Sequence, residues 1–97
     1  MTEKRDAYVQ KLKAKMDEWN AEIDKIEAKA DQAEAESKIE YEKQLEDMRA
    51  KRRNLEDKMA KLQQAGDGAW EDLKTGIENA RNSLDSALKS AASRFKL

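Results

Sequence analysis

The chain has 97 residues, of which 38% are hydrophobic and 42% charged, and its 20 basic and 21 acidic side chains leave a net charge of −1. It contains no histidine, cysteine or proline and only three glycines. Such a composition belongs to a long helix or coiled coil. It excludes Ser-His-Asp and Cys-His nucleophiles and thiolate or imidazole metal sites, and it gives no net positive field for nucleic acid.

Thr2 is placed to cap a first helix, with Glu3 and Asp6 near its positive end. From Ala7 to Tyr41 the chain falls into sevens: AYVQKLK, AKMDEWN, AEIDKIE, AKADQAE, AESKIEY. Val9, Leu12, Met16, Trp19, Ile23, Ile26, Ala30 and Ala33 alternate at spacings of three and four, the heptad seam of a helix that lies along other helices. Side chains of this bulk are worth about 1.5–3 kcal/mol each when fully buried, so something must cover them. The seam thins at Ala30, Ala33 and Ser37, as either a tight crossing or a weakly packed stretch held helical by alanine. Ala7, Ala14, Ala21, Ala28 and Ala35 form a further column opposite the seam. They either touch a second neighbour or serve only as strong helix formers.

Near residue 40 the seam slips by one position. It resumes at Tyr41, Leu45, Met48, Arg52, Leu55, Met59 and Leu62. With no proline or glycine here, the expectation is an unbroken helix with a local change in winding; a hairpin centred near residue 37 is the lesser alternative. Arg52 occupies a core column. It reads either as a register-setting or anion-binding residue or, preferably, as a snorkelling side chain whose stem packs while its charge reaches water. Asp47–Lys51 and Asp57–Lys61 have the acid-before-base spacing of helix ion pairs.

Gly66-Asp67-Gly68 is the only clear break. Gly66 suits a left-handed helix end and Asp67 an N-cap. The first helix would then span about residues 3 to 65, on the order of 95 Å. The second runs from about Ala69 to Phe95. Its apolar face is Trp70, Leu73, Ile77, Ala80, Leu84, Leu88, Ala91 and Phe95, beside a small-residue stripe that includes Ser83, Ser86, Ser90 and Ser93 and reads as a solvated flank.

The many carboxylates lie on charged heptad columns interleaved with Lys and Arg, so no enzyme is expected, and no cofactor or metal. The basic cluster Arg49 to Arg53 sits mid-helix among acids, unlike the basic region of a DNA-binding zipper. The opening MTEKRDAY has no apolar run of the secretory kind. No window reaches the ~18 apolar residues of a membrane span. By elimination the expected location is the cytoplasm.

Two segments, AYVQKLKAKMDEWNAEIDKIEAKA and GAWEDLKTGIENARNSLDSALKSAASRFK, resemble small bacterial coiled-coil proteins that are often associated with stress. The distinctive positions are Leu12, Trp19 and Ile23, then Ala69-Trp70-Glu71-Asp72-Leu73-Lys74 and Ser93-Arg94-Phe95. The resemblance covers most of the chain. It implies an elongated, intracellular, non-enzymatic helical protein and brings no catalytic or ligand residues. The second segment also resembles phasin and apolipoprotein-type helices, which coat hydrophobic surfaces.

The expected architecture is all-α: a long heptad helix over residues 1–66, then a Gly-Asp-Gly turn and a shorter returning helix over 67–97. The two make an antiparallel hairpin inside a coiled-coil or bundle oligomer. The intrachain core would be Tyr41, Leu45, Met48, Leu55, Met59 and Leu62 against Trp70, Leu73, Ile77, Ala80, Leu84, Leu88 and Phe95. The seam Val9 to Ala33 would stay open for a second copy, in an antiparallel homodimer by preference, with a trimer or tetramer as alternatives. Function follows as a self-associating structural module. The competing readings are a coat on lipid or a hydrophobic granule, and an adaptor for a different helical protein.

Overall fold

A computed structural model of the protein describes residues 2–66 and 68–95, with the side chain of Thr2 outside that description. It is all-helical among these residues: α1 (Thr2–Gln32), α2 (Ala35–Gln64) and α3 (Trp70–Phe95). The three lie side by side in a bundle 51 × 18 × 17 Å. A 31-residue helix such as α1 is about 47 Å long, so the bundle is one helix long.

The unbroken helix expected from residue 3 to 65 does not form. The chain leaves the helix at Ala33 and Glu34 and turns back, so that α2 runs along α1. Arg52 near the middle of α2 donates to Asn20 of α1 at 3.1 Å. Arg49 donates to Glu27 at 2.5 Å, and the Arg5 guanidinium reaches the carbonyl of Ala65 just past the end of α2. Glu34 takes an extended conformation (φ −68°, ψ 160°) with no capping hydrogen bond from its side chain. Its carbonyl accepts the Lys38 N–H at 2.8 Å, and the Ala33 N–H donates to Ala30 at 3.2 Å. The turn therefore breaks the helix ladder over only two residues.

Burial decides the matter. Breaking a helix forfeits a few backbone hydrogen bonds, each with a net value of about 0.5–1.5 kcal/mol. A straight rod would leave two apolar seams pointing in different directions, whereas folding at residues 33–34 sets them against each other. The one-position slip in the heptads marks this turn rather than a change in winding.

α3 returns along α2 in its turn. Glu40 at the start of α2 accepts from Arg94 at 2.9 Å, and the rings of Tyr41 and Phe95 stack with centroids 3.9 Å apart. The connection differs in detail from expectation. α2 ends on Ala65 in an extended conformation, and Gly66 does not take the left-handed conformation. The first helical bond of α3, from the Leu73 N–H, is accepted by Ala69. The N-cap expected at Asp67 lies outside the described residues, as does the side chain of the cap expected at Thr2.

One core cluster draws on all three helices. α1 contributes Val9, Leu12, Met16, Trp19, Ile23, Ile26 and Ala30, each at most 5% exposed. The seam expected to stand open is thus covered within the chain, and its side chains are not available to a second copy while the bundle is closed. Ala33 sits half-buried at the turn. α2 adds Leu45, Met48, Leu55 and Leu62, with Tyr41 and Met59 half-buried against them. α3 adds Trp70, Ile77, Ala80, Leu84, Leu88 and Ala91, with Leu73 and Phe95 half-buried. No polar or charged residue is buried among the described residues.

Candidate interaction surface

With the seams covered, the surface open to solvent comprises the outer faces and the groove between α1 and α3. Those two helices touch less than either touches α2, and three clefts follow one another along the gap. At the far end, Glu22, Lys25, Ile26, Leu88 and Ala92 line a small cleft of about 170 Å³. In the middle, about 490 Å³ lies among Lys15, Trp19, Glu78, Arg81, Asn82, Asp85 and Lys89. The charges there are already partnered: Lys15 with Glu18 at 3.1 Å, Lys89 with Asp85 at 3.0 Å, and Arg81 with Glu78 at 3.9 Å.

The near end differs. Lys4, Ala7, Tyr8, Lys11, Trp70 and Lys74 line a cleft of about 280 Å³. Heptad spacing puts Lys4 and Lys11 in one column of α1, and the parallel run of α3 sets Lys74 opposite. The Tyr8 and Trp70 rings meet at 6.2 Å and 45°, and the Lys74 ammonium stands 5.3 and 5.6 Å from their centroids. A cation over aromatic faces is held by the ring quadrupoles. None of the three lysines makes an ion pair among the described residues.

The Tyr8 hydroxyl donates to Glu78 of α3 at 2.5 Å. Burial pushes its pKa well above the ordinary value of 10.0, and the hydrogen bond to the Glu78 carboxylate pushes the same way. The folded state thus keeps a proton that the unfolded state sheds above about pH 10, and the stability Tyr8 contributes is lost as pH rises from there. A Tyr8→Phe variant should therefore show a shallower fall in urea midpoint than the wild type between about pH 9 and 11. Equal slopes would remove Tyr8 from the alkaline response.

The remaining expectations sort by exposure. The alanine column Ala7, Ala14, Ala21, Ala28 and Ala35 is solvent-exposed, as are Ser83, Ser86, Ser90 and Ser93. Arg52 is half-buried with its head on Asn20, a packed stem with a polar tip. Lys51 pairs with Asp47 at 2.7 Å, whereas Asp57 and Lys61 form no ion pair among the described residues. Ile39, 62% exposed, is the one large hydrophobic side chain left open among the described residues, on the outer face of α2 beside Lys38, Glu42, Lys43 and Glu46. Among the described residues, no three acidic side chains gather as a metal ion would require, and no helix is long and apolar enough to cross a membrane.

The sequence alone singles out none of Lys4, Tyr8 and Lys11, and marks Lys74 only within the resemblance to small coiled-coil proteins. A chain with this fold and these clefts matches no protein-family model, no curated protein and no solved structure.

Proposed function

We propose that the protein is a non-enzymatic helical interaction module that works as a closed three-helix bundle and binds through its charged outer surface. The observation that carries this is the core. Every bulky residue of the seam Val9 to Ile26 is covered within the chain and no polar residue is buried among the described residues, so the interior offers no reacting group. Light scattering across a range of concentrations tests it. A constant mass of 11.1 kDa is expected, together with no flotation on anionic or neutral liposomes. Flotation with blue-shifted tryptophan emission would replace this reading with a surface coat whose helices open onto lipid.

A second reading, self-association, is favoured by the turn at Ala33 and Glu34. The turn has no glycine, no proline and no side-chain cap, so straightening it meets no residue that forbids a helix. An opened chain would expose the seam Val9 to Ala30, and a second copy would cover it by exchange of α1, as in the homodimer expected from the heptads. A mass of twice the monomer, rising with concentration, would select it.

A further inference from the structure

We propose that the cleft between the starts of α1 and α3 is a docking site for an acidic amphipathic helix of another protein, which would lie in the α1/α3 groove as a fourth helix. The proposal rests on the interaction-module reading and names its partner chemistry. Charge carries it first. The whole chain is nearly neutral, yet this cleft is lined by three lysines and no acid. The nearest carboxylate of the groove, Glu78, already accepts from Tyr8 and faces Arg81. The bases of the middle cleft, Lys15, Arg81 and Lys89, have internal partners; Lys4, Lys11 and Lys74 make no ion pair among the described residues.

Shape selects a helix. The cleft is the first of three in line along one groove, which suits an elongated occupant better than a small anion. Lys4 and Lys11 are seven residues apart, about 10.5 Å along the axis. Two carboxylates one heptad apart on the incoming helix match them, and an apolar side chain between the two would rest on the half-buried Tyr8 ring, with Lys74 at the rim. This is the helix-in-groove mode of recognition, with charge setting the register.

An anionic membrane fits less well. A flat surface would meet the whole end of the bundle, where Glu3, Asp6, Glu71 and Asp72 are exposed beside the lysines. Trp70 is only 5% exposed and cannot insert, and the open Ile39 lies toward the opposite end. Nucleic acid would need a longer basic track, but the groove continues through Glu78, Asp85 and Glu22, against which the proposed helix lays turns that carry no acid. A second copy offers no acidic match at Ile39, because Lys38 and Lys43 offset Glu42 and Glu46.

The test uses a synthetic amphipathic helix of about three heptads with glutamates one heptad apart around a leucine, and a control with lysines in their place. Calorimetry should detect the acidic peptide and not the control, with affinity falling as salt rises from about 50 to 500 mM. The exposed double substitution Lys4→Glu/Lys11→Glu should weaken binding by about tenfold or more while circular dichroism is unchanged. Lys58→Glu, on α2, should leave binding as it was. Equal binding by the double variant, or by the control peptide, would overturn the cleft assignment while leaving an interaction module in place. Absence of any peptide binding, together with capture by phosphatidylserine vesicles, would overturn the module reading as well.

Discussion

Ile23→Asp is expected to unfold the protein. Ile23 is completely buried in the second half of α1. Truncating such a side chain alone costs about 2–5 kcal/mol, and the substitution adds a carboxylate with no partner in an apolar core, a further several kcal/mol. A domain of this size has about 5–15 kcal/mol in total. The helical circular dichroism signal should therefore collapse at neutral pH. It should return in part on acidification, because protonation removes the charge from the introduced side chain. If Ile23 instead faced a second chain, the variant would remain a folded, helical monomer. A native-like spectrum at the mass of one chain would thus place this residue outside the intrachain core.

Ala35→Pro separates the folded-back chain from a straight rod by the sign of its effect. Ala35 is the first helical residue of α2, the position where proline is most readily accepted. Glu34 before it is extended, at ψ 160°, as a residue preceding proline prefers. The substitution should stabilise the bundle by about 0.4–1 kcal/mol by restricting the unfolded chain, raising the melting temperature by a few degrees. In an unbroken helix over residues 3–65 the same proline would sit mid-ladder and cost about 3 kcal/mol or more. A drop in melting temperature would count against the turn at residues 33–34. The same variant should also suppress any exchanged dimer, since it bars the straightened form.

Much of this fold could be read from residue spacing, and the places where reading stopped have physical causes. The faces of α2 and α3 follow from periodicity alone, because Leu45, Met48, Leu55 and Leu62 on one side and Ile77, Leu84 and Leu88 on the other recur at helical spacing. The slip near residue 40 was visible too, but its meaning was not. Ala33 and Glu34 are both good helix formers, and neither offers a cap, so no local signal marks the turn; the gain from setting two seams together decides it, and that gain is tertiary. The near-end cleft was hidden for a different reason. Lys4 and Lys11 look like any solvated heptad column until the second turn of the chain brings Trp70 and Lys74 beside them. Tyr8 reads as a flank residue of the seam until Glu78 is seen to accept its hydrogen bond.

The two-residue joint at Ala33 and Glu34 also bears on the order in which the molecule assembles. Helices joined so closely meet with little loop to close, so their contacts form early. During synthesis α1 and α2 can fold against each other once residue 64 has emerged, well before α3 is complete, leaving one long apolar face waiting for the last segment. Contacts that run between successive helices also keep sequence separations modest, which places refolding of the intact chain in the microsecond-to-millisecond range. A chain stopped after Gln64 should then be helical but prone to association, and its helicity should depend on concentration where that of the full chain does not.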